Sequence, residues 1–133
     1  RLVDMGTSSY LVADALVAVI SQRLVKKLCP ACKKKAKTKP YEMLELGIDE
    51  PVSICRPHGC QFCNNTGYKG RIAVHEVMYL DEDMKLAINE GMNAAELRKL
   101  ALDKGMISLM DSCKKYVLNG TTSLAEYMTL STD

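Results

Sequence analysis

The amino-acid sequence predicts an α+β protein in which a subdomain organised by four cysteines lies between an N-terminal part and a C-terminal helical bundle. Two Cys-x-x-Cys segments, at residues 29–32 and 60–63, carry the cysteine pairs of a tetracysteine metal site. The side chains of residues 71–80 alternate as in a β-strand, and apolar residues after position 81 recur at helical spacing. The strand and the helices predict the fold class, and the cysteines predict its organising centre.

The composition is that of an ordinary globular chain. Its 133 residues are enough for one modest domain, and 47% hydrophobic with 26% charged residues is typical of such a domain. No apolar run approaches the ~20 residues of a membrane-spanning helix, and the first residues lack the features of a secretory signal. Because the chain begins with Arg1 and a helix-like segment stops at Gly6, we expect it to be a piece of a longer protein.

The N-terminal part is predicted to contain one helix and one strand. Residues 8–21 are predicted to form a buried helix, because Ser8 or Ser9 can cap it and apolar side chains follow near helical spacing. Residues 22–28 are predicted to form a short strand that leads into the first cysteine pair.

The two Cys-x-x-Cys segments, called here the first hook (29–32) and the second hook (60–63), predict a closed metal site. Each hook offers two thiolates, and four thiolates complete the tetrahedral shell of a structural Zn²⁺. The expected metal ligands are Cys29, Cys32, Cys60 and Cys63. The 27 residues between the hooks exceed the usual ~15–20, which indicates a looped-out zinc ribbon. Because a closed shell has no open position for a substrate, we expect a structural metal.

The sequence leaves other uses of the cysteines open. Six cysteines can form a secreted disulfide framework, although the missing signal segment favours a reducing compartment. A single Cys-x-x-Cys pair can be a redox centre, and His58 can replace one thiolate at the metal. Cys113 lies on the apolar side of a predicted helix, where a free thiol behaves as a small hydrophobic side chain.

The region between the hooks is predicted to have little regular structure and a thin core. Residues 30–39 are predicted to form a basic turn, and residues 41–46 a short helix between Pro40 and Gly47. A strand is predicted at residues 52–56. Because this region has few large apolar residues, it needs a cross-link to stabilise its fold. Zinc binding can provide one, since it contributes ~10–16 kcal/mol to the folding of zinc-finger peptides. We expect a Cys60→Ser variant to lose the metal and the order of residues 29–70, and to keep the C-terminal helices largely intact.

Four helices are predicted after the strand at residues 71–80. Their boundaries are glycines, one serine that opens a helix, and two capping boxes, in which an N-cap side chain and a Glu three residues later each bond the other's backbone. In chain order, these positions are Gly91, Asn93 with Glu96, Gly105, Ser108, Gly120, and Ser123 with Glu126.

Positive charge is concentrated around the first hook. Eight cations follow one another without an intervening acid: Arg23, Lys26, Lys27, Lys33, Lys34, Lys35, Lys37 and Lys39. They can offset the negative charge of a metal-bound thiolate cluster, lie in solvent, or meet an anionic partner. The alternative function is therefore a zinc ribbon that binds nucleic acid through Lys33–Lys39. Against it, no aromatic side chain is interleaved with these lysines for base stacking.

Several longer motifs resemble the C-terminal part of the type II secretion and type IV pilus-assembly ATPases. The resemblance covers essentially the whole chain, in order, and rests most strongly on the hooks together with the two motifs that follow them. The matching segments are Arg1-Leu-Val-Asp-Met-Gly6, Gln22-Arg-Leu-Val25, Leu28-Cys-Pro-Ala-Cys32, Gly59-Cys-Gln-Phe-Cys63, Asn65-Thr-Gly-Tyr-Lys-Gly-Arg71, His75-Glu76 and Gly120-Thr-Thr-Ser-Leu-Ala-Glu126.

The resemblance implies a cytoplasmic, hexameric motor with a RecA-like core, which uses ATP and Mg²⁺ to drive pilin-like subunits from the membrane into a fibre. It also implies that the metal subdomain meets inner-membrane platform proteins. Arg71 and Arg23 are implied as neighbours of the nucleotide, with a surface arginine as the alternative for each. Since the chain itself has no phosphate-binding loop, we expect it to be non-catalytic.

The same resemblance implies a division of the chain into four parts. Residues 1–28 are expected to end a RecA-like ATPase core, and residues 29–69 to form the tetracysteine subdomain. Residues 70–80 are expected to be a strand that returns to the core, and residues 81–133 the C-terminal helical region.

Overall fold

The computed structural model describes residues 1–132 and has an α+β architecture, which confirms the α+β part of the predicted fold class. Asp133, the last residue of the predicted C-terminal region, lies outside the described residues. The elements are α1 (Ser9–Ala15), β1 (Ala18–Leu28), β2 (Lys34–Lys37), α2 (Pro40–Leu46), β3 (Ser53–Arg56), β4 (Tyr68–Tyr79), α3 (Glu82–Asn89), α4 (Ala94–Asp103), α5 (Leu109–Leu118) and α6 (Leu124–Thr129), followed by a 3₁₀ turn (Leu130–Thr132).

The chain forms two compact units, each built from two separate stretches of sequence. The first unit contains residues 1–21 and 76–108, and the second contains residues 22–75 and the chain from 109 onward. Strand β1 pairs with β4, and each of these strands contributes residues to both units. Strand β2 pairs with β3 in a separate antiparallel sheet within the second unit.

The first unit is built from α1, α3 and α4. Helix α1 packs against α3, and α3 packs against α4, around the buried side chains of Leu80, Met84 and Ala101. The capping box predicted at the start of α4 is confirmed, because Asn93 Oδ1 accepts a hydrogen bond from the backbone N–H of Glu96, whose carboxylate accepts one from the backbone N–H of Asn93.

The second unit has the larger core, and this core includes the last two helices. Its buried residues come from β1, α2, β3, β4, α5, α6 and the final 3₁₀ turn: Val25, Leu46, Ile54, Val74, Cys113, Val117, Leu124, Tyr127 and Leu130. Cys113 is fully buried in α5, as its place on the apolar helix side predicted. Of the helices predicted to form the C-terminal bundle, α3 and α4 belong to the first unit and α5 and α6 to the second.

The helix predicted over residues 8–21 is too long. Helix α1 ends at Ala15 because Leu16 has an extended backbone conformation, with φ −79° and ψ 131°. The β-branched residues Val17, Val19 and Ile20 then favour a strand, and β1 begins at Ala18. The predicted strand at residues 22–28 is therefore the second half of β1.

The basic turn predicted over residues 30–39 contains a strand instead. Lys34–Lys37 forms β2, with Lys34 opposite Arg56 and Lys37 opposite Ser53. Because all four side chains of β2 are exposed, no apolar periodicity indicates a strand here. The pairing with β3 determines the extended conformation. Within residues 1–132, no helix combines the length and the apolar character that crossing a membrane requires.

Candidate metal centre

The structure brings the four cysteines of the two hooks into one cluster. The four Sγ atoms all lie within 4.8 Å of one another. Three of the sulfur-to-sulfur distances, Cys29–Cys60, Cys32–Cys63 and Cys60–Cys63, are 3.8 Å each. Zn–S bonds of ~2.3 Å in tetrahedral geometry place sulfurs ~3.8 Å apart. The cluster therefore has the size and the donor type for one tetrahedrally coordinated metal ion.

The first hook is a tight turn at the end of β1. The carbonyl oxygen of Cys29 accepts hydrogen bonds from the backbone N–H groups of Cys32, at 3.4 Å, and Lys33, at 3.0 Å. The backbone N–H of Cys29 donates to the carbonyl of Gly67 at 3.0 Å, which joins this hook to the chain that follows the second hook. Cys29 is fully buried, so its sulfur is held inside the unit.

Backbone N–H groups in and beside the second hook donate hydrogen bonds to the sulfurs. The backbone N–H groups of Cys60 and Gly67 donate to Cys63 Sγ at 3.3 and 3.2 Å, and that of Gly59 donates to Cys32 Sγ at 3.3 Å. Left-handed backbone at Asn64 and Asn65, with φ 54° and 62°, turns the chain so that these groups face inward. Amide donors favour the charged thiolate, which is the form that binds metal.

The local environment shifts the pKa values of the Cys63 and Cys32 thiols in opposite directions. Burial raises the pKa of the Cys63 thiol, but the N–H groups of Cys60 and Gly67, together with the Cys32 and Cys60 side chains, lower it to about 6. At Cys32 the N–H of Gly59 lowers the pKa, while burial and the other three cysteines outweigh it and raise the pKa to about 11. Four close thiols cannot all lose their protons without a compensating cation, so the donor set fits a bound metal ion.

The other predicted site residues lie outside this cluster. Arg71 in β4 and Arg23 in β1 are both exposed, and Arg23 Nη1 donates to the carbonyl of its neighbour Gln22 at 3.1 Å. His58 is exposed and is not among the clustered metal-binding groups. Within the basic run, Lys33 Nζ donates to the carbonyl of Gly120 at 2.9 Å, and Lys26 Nζ lies 5.7 Å from the centroid of the Tyr68 ring.

Sequence reasoning missed an ion pair with a buried carboxylate within the tetracysteine subdomain. Both nitrogens Nη1 and Nη2 of Arg56 in β3 donate to the carboxylate of Glu42 in α2 at 2.7 Å, and Glu42 is only 2% exposed. Glu42 Oε1 also accepts from the backbone N–H of Lys39 at 2.8 Å. The available signal was the position of Glu42 in the first turn of a helix that begins with Pro40, where a carboxylate can bond the N-cap backbone.

Comparison with known proteins identifies the family. The profile described as "Type II/IV secretion system protein" matches residues 1–129. The chain belongs to this family. The resemblance that the sequence motifs indicated is confirmed.

Curated members of the type II/IV secretion system family match the chain over almost all of its length. It is 35% identical over 130 residues to "Type II secretion system protein E" of Aeromonas hydrophila. It is 36% identical over 132 residues to "Type IV pilus assembly ATPase PilB" of Thermus thermophilus and to "Type IV pilus assembly ATPase TfpB" of Acinetobacter baylyi. Each match includes 96% of this chain but only 26%, 15% and 23% of these relatives, respectively. The chain thus spans about a quarter or less of their length.

Proposed function

We propose that the chain is the C-terminal, non-catalytic part of an ATP-driven motor for type II secretion or type IV pilus assembly, and that its four hook cysteines bind one structural Zn²⁺. The cluster of four sulfurs in a chain of this family is the observation that carries the proposal. The metal ligands are Cys29, Cys32, Cys60 and Cys63. Zinc would supply the cross-link, since a tetrahedral all-sulfur site suits Zn²⁺.

The parent protein would hold ATP and Mg²⁺ in its upstream part and would work in the cytoplasm as a hexamer. In this proposal residues 1–28 and 70–80 complete a RecA-like core, and residues 29–69 form the metal lobe. Arg71 and Arg23 would then lie near the nucleotide of the assembled motor. The names of the relatives, which include a pilus-assembly ATPase and a secretion protein, support this assignment.

The metal lobe would dock to membrane-platform proteins of the machine. A lobe that transmits force needs a fixed shape, and its own apolar core is thin between the hooks. Zinc-locked hooks would give it that shape. Nucleic-acid binding through Lys33–Lys39 is the weaker candidate, because these lysines lack interleaved aromatic residues.

Metal analysis of the purified chain tests the first part of the proposal. After expression with sufficient zinc, we expect about one Zn²⁺ per chain, which a Cys29→Ser, Cys63→Ser double variant should lose. A Cys113→Ser variant is the matched control, because Cys113 is buried in α5 away from the cluster and its loss should leave the zinc content unchanged. A zinc content far below one equivalent in the unaltered chain would contradict the metal site.

Nucleotide turnover tests the second part. The purified chain should hydrolyse no ATP in the presence of Mg²⁺, since it has no phosphate-binding loop. Sustained ATP hydrolysis that co-purifies with the chain would contradict its assignment as the non-catalytic part of the motor.

A further inference from the structure

We infer that residues 120–126, called here the clamp, hold both hooks in the arrangement that binds metal, and that Thr122 and Glu126 are its positioning residues. The clamp is the Gly-Thr-Thr-Ser-Leu-Ala-Glu motif between α5 and α6, far from both hooks in the sequence. This inference rests on the proposed metal site and assigns a role to a motif that the site itself does not use.

The clamp binds the strand segment that leads into the first hook. Thr122 Oγ1 donates to the carbonyl of Lys26 at 2.6 Å, and the backbone N–H of Lys26 donates to Glu126 Oε2 at 2.8 Å. Two residues further along, the backbone N–H of Leu28 donates to the carbonyl of Thr121 at 2.8 Å. These three hydrogen bonds fix the backbone directly before Cys29.

The clamp also binds the residue that follows the first hook. Lys33, directly after Cys32, donates from Nζ to the carbonyl of Gly120 at 2.9 Å. Gly120 has a φ of +84°, and a Cβ at this position would lie 2.8 Å from Cys55 Sγ. Only glycine fits this close approach, so the turn that receives Lys33 has a defined place in the unit.

The second hook is held through Tyr68. The Tyr68 hydroxyl forms a hydrogen bond with Ser123 Oγ at 2.8 Å, and Ser123 Oγ also accepts from the backbone N–H of Glu126 at 3.2 Å. Tyr68 directly follows Gly67, whose backbone N–H donates to Cys63 Sγ at 3.2 Å. One short segment therefore contacts the chain beside both hooks.

The burial of Thr122 and Ser123 makes their hydrogen bonds costly to lose. Thr122 is fully buried and Ser123 nearly so, and their hydrogen bonds to Lys26, Glu126 and Tyr68 are partly buried. Removing one partner of such a pair leaves the other partly buried without its hydrogen bond. A clamp that orders the hooks before metal arrives reduces the ordering that metal binding must impose, and by linkage bound metal stabilises the clamp in return.

The experiment is a measurement of Zn²⁺ affinity by competition with a chromogenic chelator. Thr122→Val and Glu126→Ala should each bind Zn²⁺ about tenfold more weakly than the unaltered chain, in the range known for residues that support metal ligands. Thr122→Ser keeps the hydroxyl donor, and Glu126→Gln keeps an oxygen acceptor. These two variants should bind Zn²⁺ more tightly than Thr122→Val and Glu126→Ala. The matched control is Glu96→Ala, which removes the equivalent carboxylate from the capping box of α4 in the other unit.

Equal Zn²⁺ affinities in all variants would overturn the inference. It would also be overturned if Glu96→Ala lost as much Zn²⁺ affinity as the clamp variants. If the unaltered chain binds no Zn²⁺, the proposed metal site fails, and the inference fails with it. If the chain binds one Zn²⁺ with an affinity that the clamp variants leave unchanged, only the inference fails.

A measurement on the unaltered chain avoids any folding defect of the variants. Adding Zn²⁺ to the metal-free chain should slow backbone amide exchange in α5 and α6, whose connection is the clamp, by a larger factor than in α3 and α4 of the first unit. Equal slowing in both pairs of helices, or none in α5 and α6, would overturn the inference.

Discussion

At the scale of single residues, Gly67 contacts both hooks. Its N–H donates to Cys63 Sγ, and its carbonyl accepts from the N–H of Cys29. Its φ is +82°, and a Cβ would lie 2.6 Å from the Cβ of Pro57. The residue types Asn64, Asn65 and Gly67 favour left-handed backbone, but nothing in the local sequence indicates that Pro57, on the other side of the second hook, excludes a side chain at position 67.

A Gly67→Ala variant should therefore lose both stability and zinc affinity. Left-handed backbone alone costs an alanine roughly 1–2 kcal/mol, and relief of the contact with Pro57 would move the donor away from Cys63. Chemical unfolding of the zinc-loaded chain and chelator competition measure the two effects. Gly47→Ala is the matched control, since Gly47 has a φ of +65° and nothing within 4 Å of a Cβ. If both variants lose the same stability and neither loses zinc affinity, Gly67 has no special role.

At the scale of elements, α2 and the last helix show what local sequence can and cannot specify. Helix α2 was predicted from Pro40 and Gly47 and is found at Pro40–Leu46, with Gly47 in the left-handed conformation. At α6 the predicted N-cap is correct, because Ser123 accepts from the N–H of Glu126, but the Glu126 carboxylate bonds Lys26 instead of the cap backbone. Because Lys26 and Glu126 are 100 positions apart in the sequence, no local pattern indicates that they pair.

The contact between α2 and β3 gives a prediction for pH dependence. The hydrogen bonds from Arg56, and the smaller effect of the Lys39 N–H, lower the pKa of Glu42 from 4.5 to about 2 in spite of its burial. A carboxylate with a lowered folded-state pKa contributes stability that is complete above the unfolded value. This contribution is lost as the pH falls from about 4.5 toward 2. Its full size is up to about 3 kcal/mol, from 1.36 kcal/mol per pKa unit.

Urea unfolding of the unaltered chain and of Glu42→Gln at several pH values measures this contribution. The free energy of unfolding of the unaltered chain should exceed that of Glu42→Gln at pH 6, and the difference should shrink as the pH is lowered toward 2. Both proteins lose metal in acid as the thiolates are protonated, so the difference isolates Glu42. A difference that does not change with pH would show that the Glu42 charge does not stabilise the second unit.

At the scale of the whole molecule, the sequence predicted the convergence of the four cysteines better than the arrangement of the chain. Two Cys-x-x-Cys pairs were enough to predict this convergence, although the 27 residues between them exceed the usual ~15–20, since few other uses need two such pairs. The division into units was beyond reach, because it depends on which distant segments share a core. The second unit joins residues 22–75 to the end of the chain, a pairing that no periodicity encodes.

This arrangement changes the outcome expected for Cys60→Ser. The sequence suggested that the variant would lose order over residues 29–70 and keep the C-terminal helices largely intact. In the structure, Val117 of α5 and Tyr127 of α6 lie in the same core of the second unit as Val25 of β1 and Ile54 of β3. Loss of zinc should therefore loosen α5 and α6 together with the hooks, while α3 and α4, which pack in a separate core, keep their order.

Limited proteolysis followed by mass spectrometry distinguishes these outcomes. We expect Cys60→Ser to be cut faster between the hooks and in α5 or α6 than the zinc-loaded chain, with α3 and α4 cut at an unchanged rate. Cys113→Ala, which keeps the α5 core apolar, is the control for a cysteine change that leaves the cluster complete. Protection of α5 and α6 in Cys60→Ser would mean that these helices are stable without the metal. Faster cutting of α3 and α4 would mean that the two units unfold as one.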